Sequence, residues 1–160
     1  MTDGGSSTPE VHALLRVLAA GRDVAEIGTA YGEGAAALTE TARSVVTVES
    51  DPERAAVARA RLARYANVEL LVGDCYEALR GRGPFGLVFV DGGRPFDWEA
   101  ILALLEPGGL LVKDDLTPGR PVEGDPVREF LLRDARLAGV EILTTPTTAA
   151  IVAVRLSSGA

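Results

Sequence analysis

The residues of this chain best suited by type and spacing to do chemistry are a set of acids that close apolar runs and one cluster of glycines. Glu26 sits in Val24-Ala25-Glu26-Ile27, Glu49 ends Val45-Val46-Thr47-Val48, Asp74 follows Val72-Gly73, Asp91 ends Leu87-Val88-Phe89-Val90, and Asp114-Asp115 follow Leu110-Leu111-Val112-Lys113. A carboxylate can accept two hydrogen bonds from a diol or hold a hard cation through oxygen. Gly28, Gly32 and Gly34 would let a strand turn into a helix while the backbone lies against a ligand. A phosphate-binding G-x-G-x-x-G run starting at Gly28 is excluded, because Ala30 and Glu33 occupy the glycine positions and Glu33 would set a carboxylate against a pyrophosphate. Glu49 stands about twenty residues past the first glycine, the distance at which a second-strand acid reaches ribose hydroxyls in nucleotide-binding α/β folds.

These acids need a scaffold that brings strand ends together. The pattern supplies one: apolar, β-branched runs at residues 23–27, 45–49, 67–72, 87–91 and 110–112 alternate with helical periodicities at residues 33–43, 52–65 and 98–105. Thr8-Pro9-Glu10 gives a cap, a first-turn proline and an acid for a leading helix reaching Gly21, and Asp51-Pro52-Glu53 repeats the signal. Asp74 could equally cap a short helix at residues 75–79. Residues 140–143 and 150–154 read as a closing antiparallel pair. The expected fold is therefore α/β, a Rossmann-like doubly wound, mostly parallel sheet with one antiparallel edge strand, and its ligand crevice lies at the carboxyl ends of the strands. Residues 1–8 are expected to form a flexible tail without chemistry, and residues 9–160 a single domain.

Composition narrows the function. The chain has 47% hydrophobic residues and a net charge of −7, so it can bury a core but lacks the basic footprint of a nucleic-acid binder. No apolar run reaches the roughly 20 residues of a membrane span, and the start lacks a signal-peptide pattern. The single cysteine, Cys75, fits a reducing cytoplasm and reads as a small buried hydrophobe rather than a nucleophile. His12, the one histidine, has no second ligand beside it and reads as a residue at the edge of the leading helix.

The run E-x-G-x-x-x-G-x-G over Glu26 to Gly34 resembles the first motif of class I S-adenosylmethionine-dependent methyltransferases, and Pro107-Gly108-Gly109 before the fifth strand resembles another of their phrases. The resemblance implies S-adenosylmethionine on Gly28, Thr29, Ala30, Gly32 and Gly34, with Glu26 toward the methionine end, Glu49 and Ser50 at the ribose, and Asp74, Cys75 and Asp91 completing the pocket. Within the class, the chain is most similar to the cation-dependent O-methyltransferases of the catechol and caffeoyl-CoA type. That implies Mg²⁺ or another divalent cation on Asp91, Asp114 and Asp115, a small phenol- or catechol-like acceptor, and Asp91 and Lys113 as the candidates nearest the reaction. Lys113 is either a solvated or ion-paired bystander or the group that neutralises one of the acids. The chain departs from the family in carrying Arg94 where a lysine base is usual, and an arginine does not deprotonate at ordinary pH. It also reaches its glycines early, which implies a reduced N-terminal cap and, through uncovered apolar surface, a homodimer. The alternatives are a module that binds S-adenosylmethionine without catalysis and, against the glycine spacing, a nucleotide-dependent oxidoreductase.

Overall fold

The computed structural model describes residues 6–92 and 95–157. The helix starts follow from short side chains that accept the first free N–H groups. Thr8 caps α1 (Pro9–Ala19), Asp51 caps α3 (Pro52–Leu62), Asp74 caps α4 (Cys75–Ala78), Asp97 caps α5 (Trp98–Ala103) and Asp125 caps α6 (Pro126–Arg133). Helix α2 (Glu33–Thr39) differs: its cap is Gly32, at φ +86°, with no side chain to offer. The expected run of this helix to residue 43 is cut short at Thr39. The Asn67 amide donates to the carbonyls of Thr39 and Ala42 at 3.0 and 3.1 Å, and so takes over the end of the helix.

The strands are β1 (Asp23–Ile27), β2 (Ser44–Glu49), β3 (Val68–Val72), β4 (Phe85–Val90), β5 (Leu105–Leu116), β6 (Leu137–Thr145) and β7 (Thr148–Arg155). They form one sheet in the order β3-β2-β1-β4-β5-β7-β6, parallel through β5. The doubly wound α/β sheet expected from the sequence is present. Its antiparallel strand, β7, pairs with both β5 and β6 and so stands one place in from the margin, which β6 forms. Alternation sends neighbouring residues of each strand to opposite faces. Val24, Leu87, Phe89 and Val112 pack under Val11 and Leu15 of α1, while Ala25, Val88, Val90 and Leu111 pack against α4, α5 and α6. A side chain such as Phe89 or Leu15, fully buried, stabilises the fold by roughly 1.5–3 kcal/mol.

The Pro107-Gly108-Gly109 phrase does not precede β5 but lies inside it. Phe85 pairs with Leu105 and Leu87 with Leu110, so residues 106–109 bulge out between those rungs, with Gly108 at φ +82°.

Register decides where the acids end up. Ile27 pairs with Val48 and Val90, and Val90 with Lys113. The next residue of each strand is Gly28, Glu49, Asp91 or Asp114, so these stand in one row across the sheet. Between β1 and β4 the chain order reverses, which opens a crevice at their carboxyl ends. A Cβ on Gly28, at φ +97°, would lie 2.7 Å from the Asp91 carbonyl oxygen.

Gly34 keeps α2 close to the sheet, since a Cβ there would lie 2.5 Å from Glu26 Oε1. Glu26 is buried and held by Thr47, so it has no room to yield. Gly34→Ala is expected to destabilise the protein by about 1–3 kcal/mol, read as a lower urea midpoint with an unchanged slope. A midpoint equal to the parent's would show that Glu26 moves freely.

Candidate active site

The turn after β1 is built on polar side chains from two strands. Thr47 donates to Glu26 Oε2, and its own oxygen accepts from Thr29 at 2.5 Å, which leaves a buried chain Thr29–Thr47–Glu26 beneath the glycine turn. Burial pushes the Glu26 carboxyl well above the ordinary carboxylate range, the Thr47 bond opposes that rise, and the negative charges of Asp91, Asp114 and Glu49 add to it. Glu26 thus lies within β1, under the crevice rather than at its lip.

Glu49 is buried and holds the turn from the side. Its Oε2 accepts from the Ala30 backbone N–H at 2.7 Å and its Oε1 from that of Asp51 at 3.0 Å. Ala30 is one of two non-glycine residues with positive φ among the described residues, at +48°. The bond from Glu49 fixes the N–H of this strained residue. Ser50, next along, is exposed.

Asp91, Asp114 and Asp115 come together, each with a carboxylate oxygen within 4.8 Å of the others. Asp114 is fully buried. Its Oδ2 accepts from the Ser7 hydroxyl at 2.6 Å, whereas its Oδ1 is buried with no partner among the described residues. Asp115 is exposed and is the other residue at positive φ, +58°. That conformation turns the chain out of the ladder, and the β5–β7 register shifts between Lys113 and Leu116. Burial, then the Asp115 charge, raises the Asp91 carboxyl to about 6, against the pull of Lys113. Burial, then the Asp91 charge, raises Asp114 to about 7, which the Ser7 bond and Lys113 oppose. Asp91 and Asp114, which resist ionising together, form with the Asp115 carboxylate a site short of positive charge.

Lys113 is not the solvated side chain of the bystander reading. It is buried, and its ammonium donates to the Asp114 carbonyl at 2.5 Å. Its charge still lowers both Asp91 and Asp114.

The other candidates separate. Asp74 spends Oδ1 on the α4 cap, accepting from Tyr76 and Glu77 N–H at 2.9 and 3.1 Å. It stands two residues beyond the row of Glu49 and Asp91. Cys75 is buried in the apolar cluster with Leu79 and Ile101. Arg94 lies outside the described residues. Ser7 overturns its expected place in a tail without chemistry, because it is buried against Asp114. Its only sequence signal was position: the Thr8-Pro9 helix start fixes the residue just before it. Thr47 was also missed, although it pairs directly with Glu26 across β1 and β2. A cleft of about 960 Å³ opens between α1, α2 and α3, lined among others by His12, Glu33 and Arg61. It lies on the flank of these helices and meets the acid site only through Ser7.

The chain matches the family model described as a methyltransferase domain over residues 25–116. It is 40% identical over 121 residues to a protein-L-isoaspartate O-methyltransferase of Rhodopseudomonas palustris, covering 74% of this chain and 52% of that protein. It is 32% identical over 120 residues to a catechol O-methyltransferase of Niastella koreensis, covering 64% and 53%. The chain thus spans about half the length of the curated relatives it matches. Among solved structures, the O-methyltransferase from Bacillus cereus in complex with SAH superposes with a TM-score of 0.77 at 22% identity, over 94% of this chain and 83% of that one. Among the described residues no helix is long and apolar enough to cross a membrane. The glycine turn at the switch point, the row of strand-end acids and the match that runs from β1 through β5 make this chain a member of the methyltransferase domain family, with the class I S-adenosylmethionine-dependent fold.

Proposed function

We propose that the chain transfers a methyl group from S-adenosylmethionine to a hydroxyl oxygen of a small phenol- or catechol-like acceptor, with a divalent cation held by Asp91, Asp114 and Asp115. The observation that carries the reading is the Asp114 carboxylate, fully buried and with Oδ1 unsatisfied among the described residues, in a cluster of three acids. Oxygen donors in such a set suit a hard cation. When bound, the cation would lower the pKa of the acceptor hydroxyl and orient it. Arg94 offers no base, which agrees with that division of labour.

The protein's own residues do the rest by position. Gly28, Thr29, Ala30, Gly32 and Gly34 would bear the cofactor along the turn after β1, and Glu49 keeps lone pairs for the ribose diol beyond its two backbone bonds. Glu26 and its threonines form the floor toward the methionine end. Ser50, Asp74 and Cys75 would border the ribose and adenine. Asp91 links both halves, since its backbone touches the glycine turn and its carboxylate belongs to the acid cluster. Methyl transfer needs mainly in-line alignment of nucleophile, carbon and sulfur with water excluded.

A second reading, a carboxyl acceptor, is favoured by the Rhodopseudomonas relative. The same acids oppose it only while no cation is bound, because an anionic acceptor beside Asp91, Asp114 and Asp115 would then be repelled. Labelled methyl transfer to catechol, phenol and an isoaspartyl peptide, with Mg²⁺ and with a chelator, separates the two. Transfer to catechol that the chelator abolishes is expected. Chelator-resistant methylation of the peptide alone would replace this reading with the second.

A further inference from the structure

The α1 helix packs on the sheet face that carries Phe89 and Val112, and Asp114 shares that face with Val112 by alternation along β5. The Thr8 cap fixes where α1 begins. The residue just ahead of it, Ser7, therefore arrives over the carboxyl end of β5, 107 residues away in sequence, and donates its hydroxyl to Asp114 Oδ2 at 2.6 Å. Both residues are buried, so the bond is shielded from water.

We propose that Ser7 is a positioning residue for Asp114: its hydroxyl engages Oδ2, leaves Oδ1 as the one oxygen free to ligate, and couples the start of α1 to the acid cluster. The inference rests on the cation reading above but concerns a residue outside the acid set. An aspartate free to rotate about χ2 presents either oxygen or both. One hydrogen bond at Oδ2 holds the plane of the carboxylate and leaves Oδ1 with no partner among the described residues, in a carboxylate that belongs to the cluster with Asp91 and Asp115. Oδ1, without a partner among the described residues, is the complement of the satisfied Oδ2. Such outer partners of ligating carboxylates typically change metal affinity by 10- to 100-fold when removed. Because Ser7 is joined directly to the capped helix, the same bond closes the chain over the site, and loss of either partner should loosen the first turn of α1.

The test compares Mn²⁺ affinity, by titration calorimetry, with amide hydrogen exchange at Val11 and His12 in the parent, Ser7→Ala, Ser7→Thr, Thr8→Ala and Asp114→Asn. Ser7→Ala is expected to weaken Mn²⁺ about tenfold or more and to speed exchange at the start of α1, and Ser7→Thr should restore both. Thr8→Ala, which removes the cap but keeps the Ser7 hydroxyl, should speed exchange and weaken Mn²⁺ less than Ser7→Ala does. An equal loss in both would assign the effect to the seating of α1 and overturn the role of the hydroxyl. If the parent binds Mn²⁺ and Ser7→Ala binds it equally well, the positioning role is overturned whatever the exchange shows. If the parent binds no Mn²⁺, the cation reading falls, and the Ser7–Asp114 bond is judged by exchange alone. Faster exchange in both Ser7→Ala and Asp114→Asn then upholds the coupling, and rates equal to the parent's overturn it.

Discussion

Without a divalent cation the protein is expected to be more stable at pH 5 than at pH 8. Asp91 is raised to about 6 and Asp114 to about 7, chiefly by burial, and Glu26 is raised as well. In the unfolded chain an aspartate titrates at about 3.9. Between about pH 4 and pH 7, then, the folded state keeps protons that the unfolded state has released. Stability falls wherever the folded state binds more protons and pH rises, so the loss from the two aspartates runs through this window and levels off about a unit above the Asp114 value. Two shifts of this size amount to a difference on the order of a few kcal/mol. Below about pH 4 the direction reverses. Asp134, held down to about 2 by Arg136, and Glu99, lowered by the same guanidinium, lose their ion pairs as they protonate.

The cation is the second half of this expectation. At pH 8 the acids are ionised and crowded, and Mg²⁺ at about 100 times its dissociation constant would restore about 2.7 kcal/mol. At pH 5 protons compete for the same oxygens, and the added Mg²⁺ should do little. Thermal melts at pH 5, 6.5 and 8, with Mg²⁺ and with a chelator, check both halves. Asp114→Asn should flatten the chelated profile, because one raised group is gone. A melting temperature that rises steadily from pH 5 to pH 8 in chelator would contradict the assignment of buried, mutually repelling carboxylates.

The parts of this structure legible in the sequence are those fixed by neighbours in the chain. The helix starts at Thr8, Asp51 and Asp74 come from caps within three residues, and the strands come from short apolar runs closed by acids. That acids at strand ends meet at a crevice follows from parallel register, which itself follows from alternating strands and helices. What was not legible depends on contacts between distant segments. The placement of β7 inside β6 is a choice among pairings that the local pattern leaves equal. The early stop of α2 is imposed by Asn67, beyond two intervening elements. The bulge at residues 106–109 reflects β4 pairing on both sides of a turn that, read alone, ends a helix.

The site divides in the same way. Glu49 and Asp91 could be placed from spacing, since each sits where its strand ends. Lys113 could not, because alternation predicts a face but not that the side chain folds back onto the Asp114 carbonyl. Nothing local marks Ser7 as a partner of Asp114; only the seating of α1 on Phe89 and Val112 brings them together.

Glu49→Ala should then have two separable effects. Removing the carboxylate strips the Ala30 N–H of its acceptor in a buried turn, which costs about 1–3 kcal/mol of stability. It also removes the acceptor proposed for the ribose hydroxyls, so S-adenosylmethionine affinity should fall about 10- to 100-fold, the equivalent of a lost hydrogen bond to a charged group. Because Ala30 is held at φ +48°, a loosened turn alone could weaken binding. Two companions separate the causes. Ala30→Gly relaxes that conformation while keeping the N–H and its Glu49 partner, and should leave affinity within about twofold. Glu49→Gln keeps an oxygen for the Ala30 N–H and should recover much of the stability, but its amide lacks the charge and second acceptor that a diol requires. It should therefore bind the cofactor almost as poorly as Glu49→Ala. Calorimetric titration of S-adenosylmethionine beside melting curves reads both quantities. Full affinity in Glu49→Gln would remove the ribose contact and leave Glu49 as a brace for the glycine turn, whereas restored stability with weak binding would fix both roles on this one carboxylate.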